Sequence, residues 1–213
     1  MKEESLLKTN RAFGAALACA TILWLLGACV GPQGKSQDST SFWLKASLPA
    51  KPGYRASAPT VLVSPMRAHP GFDTPRMAYT REPNQLAYYA YNRWVEAPAR
   101  LLTPLVTQAL EASSAFGAVV QAPGTVHAAL RLDTELVSIT QDFSARPSRM
   151  YLVVRAQLVD AQNQTIRASR TFSVQAVAAS EDARGGAEAA NQMLPELLAQ
   201  LADWAAQASA QQR

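Results

Sequence analysis

The chain has 213 residues, 48% of them hydrophobic and 17% charged, with a net charge of +4 from 20 basic and 16 acidic side chains. That balance excludes a disordered chain and allows one ordinary domain, although the 40 alanines bury little area each and keep the core modest. Two cysteines and two histidines exclude a disulfide framework and leave little for a zinc site, and +4 is far from the basic stripe of a nucleic-acid binder.

Lys2, Lys8 and Arg11, diluted by Glu3 and Glu4, precede an apolar run from Phe13 to Ala28. The run is short for a membrane span, which needs about 20 residues, and has the charged-then-apolar layout of a secretory signal. It ends in Leu26-Gly27-Ala28-Cys29, which resembles the lipobox of bacterial lipoproteins: small residues precede a Cys that is acylated and becomes the mature N-terminus. The plainer alternative is an ordinary signal peptide, or an uncleaved signal anchor, that happens to hold Cys29. Cys19 lies inside the apolar run and reads as discarded filling. Residues 1–28 are thus expected to be removed. The mature chain keeps 185 residues, a net charge of +3 and one lipid-blocked sulfur at Cys29. Two or three acyl chains, palmitate among them, make such attachment effectively permanent, since stable anchoring takes two chains. Val30 after Cys29, in place of Asp, favours sorting to the outer membrane by resemblance to enteric bacteria.

Residues 29–41 are polar, Gly- and Ser-rich and aperiodic, and read as a lipidated flexible tether. The domain is expected over 42–208, with a polar tail at 209–213. Phe42-Trp43-Leu44 reads as an edge strand, and Thr60–Val63, bounded by Pro59 and Pro65, as a buried strand. Arg67 to Pro75 reads as a loop. Arg76–Tyr79 and Gln85–Tyr89 flank Arg-Glu-Pro-Asn and read as a hairpin. Leu101, Leu102, Leu105, Val106, Ala109 and Leu110 recur at helical spacing. Pro98 suits the opening turn of that helix; Pro104 either starts it, with Thr103 as cap, or kinks it. Phe116-Gly117 is expected to end it, before a strand at Val119-Val120.

Three alternating strands follow. Leu130, Leu132 and Leu136 oppose Arg131, Asp133 and Glu135. Leu152, Val154, Ala156 and Leu158 oppose Arg155 and Gln157. Ile166, Ala168, Phe172 and Val174 share a third apolar face. Arg170 falls on that apolar face and marks a bulge or a side chain reaching for the rim. Ala190, Leu194, Leu197, Leu198, Leu201 and Trp204 make a helical stripe that Pro195 should kink or divide. These elements predict an α+β two-layer sandwich: a mostly antiparallel sheet of about 4–6 strands, covered on one face by two helices.

Chemistry is sparse. No Gly-x-Ser-x-Gly elbow or metal-ligand spacing occurs, and Arg184-Gly185-Gly186 lacks the Lys of a phosphate loop. His69 and His127 read as surface or strand-end residues. Asp133 and Glu135 read as a solvated strand face, and Glu181-Asp182 as negative charge suited to the start of the last helix. No catalytic, cofactor-binding or metal residue is assigned. The unusual feature is aromatic: Tyr79, then Tyr88-Tyr89-Ala90-Tyr91-Asn92-Arg93-Trp94. Trp94 reads either as packing between hairpin and helix or as part of a contact surface. Tyr88 and Tyr89 point to opposite faces, so at most one of them faces the core.

Thr60–Val63, Arg76-Met-Ala-Tyr79, Leu86–Tyr89 leading into Tyr91-Asn-Arg-Trp94-Val-Glu-Ala-Pro98, the Leu-rich helix, the strands at Leu130–Ile139 and Tyr151–Val159, and Ser169–Phe172 occur in the order seen in the ABC-type transport auxiliary lipoprotein family (PqiC-like), which the chain resembles from about Phe42 to Trp204. Tyr79, Tyr88, Tyr91, Trp94 and Pro98 carry the most specific part. Phe42 stands where the family usually shows the Tyr of Tyr-x-Leu. The resemblance implies a non-catalytic outer-membrane lipoprotein facing the periplasm. It would act with an ABC transporter and an MCE-domain (MlaD/PqiB-like) protein that moves phospholipids or other hydrophobic molecules between membranes. It also implies a homo-oligomeric ring as docking collar, and no nucleic acid. Two other readings of the residues are a carrier holding an acyl chain between sheet and helices, and a structural outer-membrane assembly lipoprotein.

Overall fold

The computed structural model describes residues 39–48, 57–124 and 126–210. The chain divides into two units, Met1–Asp38 and Ser39–Arg213. The expected signal peptide, Cys29 and most of the tether belong to the first and lie outside the described residues, as does the end of the tail at 211–213.

Strand β7 (Leu130–Asp142) organises the sheet. On one edge it pairs antiparallel with β8 (Arg149–Asp160), which pairs antiparallel with β9 (Ile166–Val177). On its other edge, three short strands follow one another along its length, all parallel to it. They are β2 (Thr60–Val63) at Leu130–Leu132, β3 (Arg67–Ala68) at Glu135–Leu136 and β4 (Arg76–Thr80) at Thr140–Asp142. Residues 60–80 thus form one interrupted strand. The interruptions fall where Pro65, Pro70 and Pro75 cannot donate to a ladder. Beyond it, β6 (Ala118–Gln121) pairs parallel with β2, β5 (Ala87–Trp94) antiparallel with β4, and β1 (Thr40–Phe42) parallel with β5. Among the described residues the sheet therefore has nine strands of mixed direction. This corrects the expectation of four to six mostly antiparallel strands. It also places a strand, β3, inside the expected loop at Arg67–Pro75.

Helix α1 (Pro98–Ser113) and helix α2 (Ala183–Ala210) pack on the apolar face of the sheet and on each other. The α+β class holds. Leu130, Leu132 and Leu136 of β7, Leu152, Val154, Ala156 and Leu158 of β8, and Phe172 and Val174 of β9 face Leu102, Leu110, Leu194, Leu198 and Leu201 in one core. The opposite face carries Arg131, whose guanidinium is 3.0 Å from Asp133, and the half-buried Glu135.

Several boundaries differ from the sequence reading. α1 begins at Pro98, not at Pro104, and ends at Ser113 because Ser114 adopts a left-handed conformation (φ 53°) before Phe116-Gly117 is reached. α2 is one helix through Pro195, not two, and runs two residues past 208. Each internal proline frees a carbonyl one turn back, at Arg100 and Asn191; those residues are exposed and half-buried, so the freed oxygens stay within reach of water. A bulge in β9 leaves Ala168 opposite Leu158 and Ile166 opposite Val159. The extra residue, Arg167, turns Ile166 off the expected apolar face, and Ile166 is 58% exposed. Arg170 is not at that bulge; it lies exposed, with its guanidinium 5.1 Å from the Phe172 ring centre.

Candidate functional site

The five signature positions do not converge on one pocket. Tyr79 leaves β4 half-buried, and its ring centre is 4.8 Å from that of Tyr89 and 5.9 Å from that of Phe143, with the Arg81 guanidinium over both Tyr79 and Phe143. Tyr88 points the other way. Its hydroxyl donates to the Gly71 carbonyl (2.8 Å), and the Arg76 guanidinium sits 3.9 Å over its ring. The two tyrosines thus divide as strand alternation requires, and Tyr89 is the one packed against the core. Tyr91 is 49% exposed, whereas Trp94 is fully buried. The Trp94 amide donates to the Pro75 carbonyl (2.7 Å). Packing is therefore what Trp94 does, and Tyr91 is the signature aromatic left available to another molecule. Pro98 is buried at the first turn of α1, where its missing N–H costs nothing. Beside it, the Glu96 carboxylate accepts from the Ala97 amide (2.8 Å) and lies 3.4 Å from Arg100.

A buried polar chain lies behind the signature tyrosines. The Tyr89 hydroxyl donates to Gln141 Oε1 (3.0 Å), Gln141 Nε2 donates to Ser148 Oγ (3.0 Å), and the Ser148 amide donates to Glu181 Oε1 (2.9 Å). Gln141 and Ser148 are among the few buried polar residues. Gln141 faces inward because a bulge at Val137 in β7 shifts the alternation by one residue. Burial, then the nearby Asp182 carboxylate, raises the Tyr89 phenol well above the usual tyrosine value and keeps it a neutral donor.

Gly185 and Gly186 sit in the first turn of α2. A Cβ on Gly186 would lie 2.2 Å from Gln141 Oε1, and one on Gly185 would lie 2.2 Å from the Ser180 carbonyl oxygen. Gly186 thus permits close approach of helix to sheet, and Gly185 close approach of the helix to the turn at Ser180. Asp182 accepts from the Gly185 amide (2.9 Å) and the Ser180 hydroxyl (2.6 Å); these bonds, the backbone one first, hold its carboxyl below the usual aspartate value. Gln141, Ser148 and Asn191 were not singled out by the sequence reading. A Gln on a strand gives no signal of inward direction when the bulge before it is invisible.

Elsewhere on α2, Asn191 holds the chain just past the end of β1. Its Oδ1 accepts from the Lys45 amide (2.8 Å) and its Nδ2 donates to the Trp43 carbonyl (3.0 Å). One side-chain amide thus ties the chain after β1 to α2. Trp43 itself is 55% exposed, with the Lys45 ammonium 5.8 Å from its ring centre.

Elsewhere, His69 Nε2 lies 3.6 Å from Glu135 Oε1 at the surface, and His127 is exposed. The space between the helices, lined by Leu48, Ala109, Ala112, Ser113, Leu198 and Ala202, is about 140 Å³ and open to solvent. No described helix is long and apolar enough to cross a membrane.

A family model described as "ABC-type transport auxiliary lipoprotein component" matches residues 43–202. The chain belongs to the ABC-type transport auxiliary lipoprotein family. It is accordingly an auxiliary lipoprotein of ABC-type transport, as the residues from Thr60 to Phe172 suggested. A Xanthomonas campestris protein of known structure is 22% identical, with a TM-score of 0.73 over 81% of this chain and 98% of that one. The crystal structure of an uncharacterised protein is 12% identical, with a TM-score of 0.58 over 75% of this chain and 97% of that one. A PelC variant from Paraburkholderia phytofirmans, solved as a dodecamer, is 16% identical, with a TM-score of 0.43 over 72% and 92%. The first two likenesses show the fold alone. Comparison with curated proteins finds no match.

Proposed function

We propose that the chain is a non-catalytic outer-membrane subunit of an MCE-type ABC transport system. In this reading Cys29 carries the lipid, the domain faces the periplasm, and the folded part docks an MCE-domain (MlaD/PqiB-like) protein, as a homo-oligomeric ring, at the end of a conduit for phospholipids or other hydrophobic cargo. The family match over residues 43–202 carries the reading, and the lipobox at Leu26–Cys29 supports its compartment.

Crosslinking in intact envelopes tests the partner. Capture of an MCE-domain protein is expected, and its consistent absence from envelopes that contain both proteins overturns the reading. Genes for a permease, an ATPase and an MCE protein beside this one are expected as well. Cys29→Ser is expected to abolish acylation and leave an unprocessed or soluble protein, read by mass spectrometry and membrane fractionation. Outer-membrane lipidation that persists in that variant would sink the lipobox assignment.

A further inference from the structure

Trp43, Tyr91, Arg93, Arg76 and Lys45 together form an exposed aromatic and basic face beside the point where the chain enters the domain. β1 and β5 pair in register, Ser41 against Arg93, and Arg93 Nε lies 3.5 Å from Ser41 Oγ. Trp43 follows Ser41 by two residues and Tyr91 precedes Arg93 by two, and both are exposed beside that pair. Arg76 is the register partner of Arg93 on β4 and joins them, and Lys45 lies over the Trp43 ring. Trp43 and Tyr91 are about half exposed. Among the described residues, neither Lys45, Arg76 nor Arg93 makes an ion pair. The four ion pairs present involve His69, Arg100, Arg131 and Arg167 instead. Across a groove from Trp43, α2 contributes Arg184 and Glu188, one charge of each sign, so the face keeps a net excess of cations.

We propose that this face rests on the anionic lipid headgroups of the bilayer that holds Cys29. The proposal rests on the lipid-anchor reading above. Two observations select this occupant. The first is reach: nine residues lie between Cys29 and Ser39, and even fully extended the ten steps span at most about 35 Å. Trp43, four residues further on, is therefore confined near the headgroups, where weak contacts act at high effective concentration. The second is chemistry. Trp and Tyr, with an apolar ring and a polar tip, favour the headgroup level, and unpaired Lys and Arg side chains are drawn to anionic lipid. The contact fixes which side of the domain faces the membrane, and so which side is left for a partner.

The full chain, processed and lipidated, is reconstituted into vesicles of phosphatidylethanolamine and phosphatidylglycerol. The phospholipids carry bromine near the headgroup end of their acyl chains. Trp94 is fully buried and Trp204 is 9% exposed, so they are internal controls. Tryptophan emission is expected to be quenched, and Trp43→Phe is expected to abolish the quenching with an unchanged circular dichroism spectrum. Lys45→Glu with Arg93→Glu is expected to reduce it in low salt while leaving Trp43 in place. Lipidated protein that stays on the vesicles with unquenched emission overturns the proposal, including the case where a second copy or another protein covers Trp43. The anchor is read separately. A protein mass without acyl chains refutes the lipid-anchor reading. The headgroup contact is then judged by adding the unacylated mature chain to the same vesicles. Quenching that salt and Trp43→Phe both remove sustains the contact, and its absence overturns it.

Discussion

Gly186 shows how narrow the tolerances are at single positions. Any Cβ there meets Gln141 Oε1, the atom that also accepts from the Tyr89 hydroxyl. Gly186→Ala is therefore expected to lower stability by about 1–3 kcal/mol, the range for inserting atoms into a packed site, although Ala is the better helix former. Urea unfolding of the two proteins measures this. Tyr89 adds a pH signature. Its phenol is raised by burial, so its contribution is complete below the ordinary tyrosine pKa of about 10. It is lost as pH rises from there towards the raised native value, because the unfolded chain ionises first. The wild-type urea midpoint should fall in alkaline solution more steeply than that of Tyr89→Phe. Strand alternation made the opposition of Tyr88 and Tyr89 legible in the sequence. That Tyr89 is the inward one depends on Gln141, 52 residues away.

At the scale of elements, the helix stripes were readable because 3.6-residue periodicity is local, and both helices form where Leu102 to Leu110 and Ala190 to Trp204 recur. Their ends were not, because caps depend on single side chains and backbone angles. Asp182 caps α2 with its carboxyl held low by the Gly185 amide and the Ser180 hydroxyl. That stabilisation is present above the ordinary aspartate pKa of about 4 and is lost as pH falls below it towards the lowered native value. Asp182→Asn should remove part of the acid-side slope of stability, measured by denaturant titration at successive pH values. In α1, the Thr103 hydroxyl donates to the Ala99 carbonyl (2.9 Å) and accepts from the Met66 amide (3.0 Å), tying the helix to the chain after β2. Thr103→Val keeps the shape but orphans a buried N–H. A loss of about 1–3 kcal/mol is expected from the same unfolding measurement.

Across the described residues, β7 is paired on both edges along most of its length, whereas β1, β3, β6 and β9 each have one strand neighbour, and β1 and β6 are short strands at the ends of the sheet path. Hydrogen exchange should therefore find the slowest amides in β7 and β8 and the fastest strand amides in β1 and β6. Asn191→Ala should speed exchange at Lys45 without changing β7. β1 amides that exchange as slowly as those of β7 would contradict this order.

The sequence by itself determined what is local or covalent: the charged-then-apolar start ending at Cys29, the alternation of β7, β8 and most of β9, the two helical stripes, and the order of motifs that places the chain in its family. Tertiary structure alone decided the parallel run of β2, β3 and β4 along β7, the bulges at Val137 and Arg167, the inward turn of Gln141, and the burial of Trp94 beside an exposed Tyr91. The physical reason is range. Periodicity is set by neighbours within a turn or a pleat. Strand direction, register and close approach are set by partners far along the chain, such as Asn191 on Lys45, 146 residues apart.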